Sequence, residues 1–242
     1  FHLCRAELDI MYNMTSQLGL ISLEGLLERA KDGIDALLVL SGGLDSAYIL
    51  WKYAQIVTDR PIHTHHIHLY PRWSGRLQVE DLAVRKQIEY LNRKVSVRTS
   101  TVDTSSGGAV MRDITLAVLL SATAAMERKC DYILVGDDLP SSARRNLDGS
   151  VLDPHKERMN KAMAEYVRAA TEDTVDICMG METHLVKEAY EEMPDDYLAL
   201  VSSCREPLTR GGIVKQCGHC HSCRKNAKFG FLERLGHALR KH

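Results

Sequence analysis

The 242-residue chain carries no excess charge of either sign, no long apolar run and no internal repeat or low-complexity tract. Its formal net charge is −1, from 31 Lys+Arg against 32 Asp+Glu, so no global field draws it to nucleic acid or to an anionic membrane. Direct nucleic-acid binding is therefore not expected. No stretch reaches the ~18 consecutive apolar residues of a membrane-spanning helix. The N-terminus lacks the layout of a signal peptide, and no membrane association is expected. The chain begins at Phe1 rather than Met, so either a natural start upstream or a cloning scar at this end is expected. Neither a G-x-G-x-x-G fingerprint nor a Walker A loop is present, which argues against dinucleotide binding and γ-phosphate transfer. A spread, even-numbered disulfide framework is missing too. Of the seven cysteines (Cys4, Cys130, Cys178, Cys204, Cys217, Cys220 and Cys223), four fall in the last 39 residues. That clustering reads as metal binding in a reducing compartment and places the protein in the cytoplasm.

What is present alternates between two periods. Residues 1–31 show helical spacing, with Ser22 as a cap for the second segment. Ala36-Leu37-Leu38-Val39-Leu40 is a short, continuously apolar run that suits a strand buried on both faces of a parallel sheet. Helical segments are predicted at about 47–57, 77–92, 114–126, 156–170 and 183–192, and strands near 62–70, 95–99, 131–135 and 175–178. Strands alternating with helices imply βαβ units and a doubly wound, mainly parallel α/β sheet. A chain of this length buries enough surface to need no disulfide staples. The expected division is an N-terminal helical extension (1–33), a main α/β domain (34–201) and a small C-terminal metal module (202–242).

Ser41-Gly42-Gly43-Leu44-Asp45-Ser46 stands directly after the first buried strand and directly before a helix. Two glycines let the backbone turn tightly and present successive N–H groups to a ligand. The helix start adds its free donors and the positive end of its dipole. Ser41 and Ser46 offer hydroxyls to phosphate oxygens, and Asp45 suits Mg2+ held between phosphates. The plain alternative is a glycine turn with no ligand. The segment resembles the S-G-G-x-D-S signature of the PP-loop ATP pyrophosphatases, and matches it at every position. Those enzymes cut ATP between the α- and β-phosphates and transfer AMP to an oxygen of the substrate. The resemblance implies an adenine nucleotide α-hydrolase-like sheet, with ATP at Leu40, Ser41, Gly42, Gly43, Leu44, Asp45 and Ser46.

The late cysteines read C-x2-C-x2-C over Cys217-Gly218-His219-Cys220-His221-Ser222-Cys223, with Cys204 twelve intervening residues upstream. Four thiolates at such spacings can surround one Zn2+ at ~2.3 Å, and a closed shell of this kind is structural rather than catalytic. Free thiols, an iron–sulfur cluster and a zinc-based nucleic-acid module are the rival readings. His219 and His221 are read as bystanders.

A PP-loop followed by C-x12-C-x2-C-x2-C resembles the 7-cyano-7-deazaguanine synthase (QueC) family from about Ile34 to the end of the chain. Arg112 stands before an apolar helix where that family carries Arg-Asn, Gly136 closes a strand at the right interval, and Lys187 matches a family lysine that approaches the phosphates. The resemblance implies a carbon–nitrogen ligase. Such an enzyme adenylates the carboxylate of 7-carboxy-7-deazaguanine, lets ammonia displace AMP, and dehydrates the amide to the nitrile with more ATP. Asp45, Lys187 and Arg112 would be the catalytic residues, His68 and Gly136 would add to the ATP site, and Zn2+, Mg2+ and ATP would be the cofactors. A homodimer is one expected state. The substrate end departs from the family. Tyr-Gly-Gln becomes Tyr70-Pro71-Arg72, Pro-Gly becomes Val110-Met111, and the Ser-Gly-Tyr-Pro-Asp-Cys stretch is replaced by a polar loop from Asp137-Asp138-Leu139-Pro140 to Leu152-Asp153-Pro154-His155. Asp137 and Arg144 are the substrate-binding candidates there.

Those departures leave alternatives open. A divergent relative would stop at the amide, or join the carboxylate to an amine on a protein acceptor, as relatives in anti-phage defence do. An asparagine synthetase-type amidation domain shares the helix running into S-G-G-L-D-S but not the cysteines. A tRNA thiolase shares the loop, but needs a basic RNA surface that the near-neutral charge does not suggest. The segment Ile62-His63-Thr64-His65-His66-Ile67-His68 looks metal-binding. Strand alternation puts His63 and His65 on one face and His66 and His68 on the other, so each pair chelates only with outside help. These histidines are read first as packed strand residues, with His68 nearest the ligand-binding end of the sheet. Cys130 and Cys178 are read as small core residues.

Overall fold

The computed structural model describes residues 21–70, 74–103, 113–138, 154–181, 183–204, 208–210, 213–215, 217–220 and 223–224. In chain order the elements are α1 (Leu23–Lys31), β1 (Ala36–Leu40), α2 (Leu44–Ile56), β2 (Ile62–Tyr70), α3 (Ser74–Leu91) and β3 (Val95–Asp103). They continue with α4 (Asp113–Arg128), β4 (Tyr132–Asp138), α5 (Pro154–Ala170), β5 (Asp176–Met181), α6 (Thr183–Glu192) and α7 (Asp195–Leu198). A short antiparallel pair, β6 (Leu208–Arg210) and β7 (Ile213–Lys215), follows.

Five strands form one sheet in the order β3-β2-β1-β4-β5, parallel at every pairing. Every residue of β1 is buried, as its unbroken apolar run predicts. Its side chains alternate between two cores. Leu38 and Leu40 join Leu26, Leu50, Tyr53 and Tyr197 on one face, while Leu37 and Val39 join Val118, Ala122, Met163 and Val167 on the other. Thus α1, α2, α3 and α6 cover one face, and α4 and α5 the other. This is the doubly wound α/β sheet expected from the sequence.

The chain steps outward from β1 to β2 and β3, then returns past β1 to β4 and β5. The direction of winding therefore reverses between β1 and β4, where the loops at the carboxyl ends of the strands diverge and leave a crevice for a ligand.

Ser22 caps α1, its hydroxyl accepting from Gly25 N at 3.1 Å, and Ile21 just before it makes a parallel bridge to Cys178 of β5. The helix packs in the same core as α2 through Leu23, Leu26 and Ala30. Two predicted boundaries are corrected. The helix after β1 begins at Leu44 rather than Ala47, because Gly43 is its N-cap. Gly136 does not close β4, which runs on to Asp138 and pairs there with Met181 across a register shift.

Candidate nucleotide site and cysteine cluster

The Ser41–Ser46 loop caps the carboxyl end of β1 at the winding reversal, and its shape is set by a closed set of hydrogen bonds. Ser41 N donates to Ser46 Oγ at 3.2 Å, and Gly43 N donates to Ser41 Oγ at 3.3 Å. The two hydroxyl oxygens lie 3.1 Å apart, and Ser46 Oγ donates to Gly43 O at 3.2 Å. Ser46 is buried while Ser41 is exposed. The Ser46 hydroxyl therefore shapes the loop from within, and the Ser41 hydroxyl lies at its open side.

Gly42 adopts φ +74°, a left-handed conformation that costs an L-residue roughly 1–2 kcal/mol. Space also demands glycine here. A Cβ on Gly42 would stand 3.0 Å from both Ala83 Cβ and Glu80 O of α3. Both lone pairs of the Gly42 carbonyl are occupied, by Ser202 N at 2.8 Å and by Gln87 Nε2 at 3.0 Å. Leu44 N, one of the unpaired amides at the start of α2, donates to Ser203 Oγ at 2.9 Å. Gly136 of β4 backs the same helix turn, where a Cβ would meet Ser46 N at 2.8 Å. Its role visible in the structure is to let α2 approach the sheet.

Asp45 sits in the first turn of α2, half-buried. Burial first, and the Asp45 charge second, push the Tyr190 phenol well above its ordinary value. Lys187 lies one turn before Tyr190 on α6, and Asp137 lies on β4; their side chains lie outside the described residues, as do Arg112 and Arg144 entirely.

Cys204, Cys217, Cys220 and Cys223 converge, with all four sulfurs within 4.8 Å of one another and the Cys217 and Cys223 sulfurs 4.0 Å apart. Four sulfurs at ~2.3 Å around a tetrahedral Zn2+ stand roughly 3.8 Å from each other, so the donor set fits that ion. The backbone supports it, since Cys217 N donates to Cys204 Sγ at 3.2 Å and Cys220 N donates to Cys217 Sγ at 3.3 Å. Burial pushes the Cys223 thiol up, and a bound cation would offset that by favouring the thiolate. His219 is exposed, with Nδ1 2.9 Å from the Cys217 carbonyl oxygen, and stands outside the sulfur set. Cys130 and Cys178 are core residues, as expected, and burial pushes the Cys130 thiol up to about 12.

The histidines of β2 divide between the faces as alternation predicts. His63 and His65 point towards α4. His65 is buried, with Nδ1 2.9 Å from Ser121 Oγ and Nε2 2.8 Å from Ser100 Oγ. His66 and His68 point towards α3 and meet Asp81. Spacing gave no sign of Gln87 or Asp81. Ser202 and Ser203, directly before Cys204, were the one missed pair that adjacency to a metal ligand could have flagged.

No protein-family model matches this chain, and no curated protein sequence matches it. Among solved structures, the chain is similar to the U34-tRNA thiolase NcsA from Methanococcus maripaludis with its 4Fe–4S cluster. The identity is 14%, the TM-score is 0.42, and the match covers 90% of this chain and 79% of that one.

Proposed function

We propose that this chain is an ATP-consuming carbon–nitrogen ligase of the PP-loop type, which adenylates a carboxylate and passes the acyl group to an amine. The observation that carries the reading is the Ser41–Ser46 loop. It is a match to S-G-G-x-D-S, sits between a buried central strand and a helix start, and lies at the point of the sheet where α/β folds bind ligands.

The chemistry follows from that placement. The substrate carboxylate attacks the α-phosphorus of ATP, the bond to the β-phosphate bridging oxygen breaks, and pyrophosphate leaves. An amine then displaces AMP, giving the amide. Ser41, Gly42 and Gly43 would cradle the phosphates, and Asp45 would hold Mg2+ against them. Lys187 and Arg112 would neutralise charge developing on the leaving pyrophosphate. Leu40, Leu44, Ser46, His68 and Gly136 would complete the nucleotide site, and Asp137 and Arg144 would meet the carboxylate substrate. Zn2+ held by Cys204, Cys217, Cys220 and Cys223 would be structural.

The substrate we favour is 7-carboxy-7-deazaguanine, with ammonia as the amine and the nitrile as final product after a second round of ATP. The test is pyrophosphate release from ATP and Mg2+ with that substrate, with and without ammonia, products being read by mass spectrometry. Nitrile formation that disappears in Asp45→Ala supports the full reading. An amide or a protein conjugate as end point moves the acceptor assignment. AMP formation only with another carboxylate overturns the substrate and keeps the ligase. No pyrophosphate release with any carboxylate overturns the ligase itself.

A further inference from the structure

The even-numbered histidines of β2 carry a feature that the nucleotide site leaves unexplained. His66 Nδ1 lies 2.8 Å from the carbonyl oxygen of Leu40. A carbonyl only accepts, so Nδ1 carries the proton of that hydrogen bond and Nε2 is the ring atom left to meet a metal. On the other side of the ring Nε2 lies 2.7 Å from Asp81 Oδ1, and His68 Nε2 lies 2.6 Å from the same oxygen; a carboxylate only accepts, so each contact holds an N–H that a metal ion would replace. Two imidazole nitrogens and one carboxylate oxygen thus converge, all within 4.8 Å of one another.

We propose that His66, His68 and Asp81 form a second metal site, which binds a divalent transition-metal ion such as Zn2+ and keeps open coordination positions. The donor set, two imidazoles and one carboxylate, is what first-row divalent ions take in open sites. The Leu40 carbonyl supplies the support a metal-bound histidine needs, because it fixes both the tautomer and the orientation of His66. β2 places His66 and His68 on one face, and α3 brings Asp81 across to them. The ring planes of the two histidines stand at 82°, with centroids 4.7 Å apart, so their nitrogens approach one point from different directions.

Access is graded. The His66 side chain is 6% exposed, that of His68 19% and that of Asp81 43%, so the site is anchored in the core and open on the Asp81 side. Two ligands of a tetrahedral ion at about 2.0 Å stand roughly 3.3 Å apart, so Asp81 must withdraw by roughly 0.6–0.7 Å to admit the metal, within reach of a half-exposed side chain. Water or an anionic oxygen would fill the remaining positions.

The location gives the site a neighbour. Leu40, which holds His66, is the residue before Ser41. Asp81 follows Glu80, whose carbonyl closes on Gly42. The metal would share one wall of the phosphate loop, and it would be separate from the cysteine cluster in both ligands and coordination chemistry.

The test uses the full chain and reads metal, not turnover, so it stands whether or not the ligase reading does. Wild type, Asp81→Asn, His68→Ala and the opposite-face control His63→Ala are equilibrated with Zn2+ and analysed for metal content, then titrated with Co2+. Wild type and His63→Ala should hold one more equivalent than Asp81→Asn and His68→Ala, with affinity for that equivalent falling roughly 100-fold or more in the two variants. The additional Co2+ should give visible bands without the thiolate charge transfer of the cysteine site. Asp81 is half-exposed, so Asp81→Asn is the variant expected to keep its fold, and circular dichroism checks it. Equal metal content in wild type and Asp81→Asn overturns the proposal. So does a nitrogen-15 spectrum in which both rings remain doubly protonated under excess Zn2+, which would identify an ordinary His–Asp–His ion pair.

Discussion

Six consecutive residues make the Ser41–Ser46 loop, yet much of what fixes its shape comes from far along the chain. Gln87 and Ser202 hold the Gly42 carbonyl, Ser203 takes the Leu44 amide, and Gly136 makes room for the helix turn. The cysteine cluster is the reverse. Its four ligands span residues 204 to 223, but the contacts that order the sulfurs come from its own backbone amides, at Cys217 and Cys220. A contiguous motif therefore depends on tertiary packing, while a dispersed ligand set depends on local turns. The two meet at one covalent step, since Ser203 of the loop's support is followed directly by Cys204 of the cluster.

The sharpest way to break this asymmetry is Gly42→Ala. The left-handed conformation and the 3.0 Å approaches to Glu80 O and Ala83 Cβ together should cost about 4 kcal/mol. Urea unfolding should show that loss, and calorimetry should show loss of ATP binding, while zinc content of the folded fraction stays unchanged. If zinc is lost as well, the cluster depends on the loop and the comparison fails.

Acid gives a reference that moves both regions together. Burial first, then Arg98 and His66, hold the His65 pKa down to about 4, against an ordinary 6.5. Above pH 6.5 the ring is neutral in both the folded and the unfolded chain, so it costs nothing. As pH falls from 6.5 towards 4 the unfolded chain takes up a proton that the folded chain excludes, and stability declines before levelling off below that window. The full loss is on the order of 3 kcal/mol. His65→Gln, which can still bond to both serines, should flatten the urea midpoint over this range. An unchanged slope would mean that other groups set the acid response.

Removing metal from the cysteine cluster should loosen Ser202 and Ser203, and through them the loop. Hydrogen exchange at the Leu44 and Ser202 amides should speed up by about 10-fold, equivalent to roughly 1.4 kcal/mol, while β3 amides stay protected. Equal exchange with and without metal would show the two regions to be independent despite their adjacency. The smallest effect is expected from Ser203→Ala. It removes one tertiary helix cap, should cost about 1 kcal/mol, and should weaken ATP binding without altering metal content.

Much of this was legible in the residues alone. The unbroken run Ala36–Leu40, the two glycines of Ser41–Ser46 and the alternation of β2 point to a buried strand, a tight loop entering a helix and two histidine faces, and the structure has all three. The helix after β1, placed near Asp45 by the loop and near Ala47 by its apolar spacing, starts at Leu44 because Gly43, which has no side chain to mark a cap, serves as the N-cap. The end of β4 was missed because Gly136 reads as a strand breaker, whereas its missing side chain admits α2.

The sequence by itself determined what depends on neighbours along the chain: strand and helix periods, the glycine turn, and the C-x2-C-x2-C spacing that brings three cysteines together. Backbone geometry fixes these within a few residues. Only the tertiary structure decided that Asp81 meets His66 and His68, that Ser203 caps α2, and that Gln87 reaches Gly42. Those pairings depend on the angle and register at which α3 and the 201–204 segment pack against the sheet, and packing of whole elements leaves no periodic trace in the residues that happen to touch.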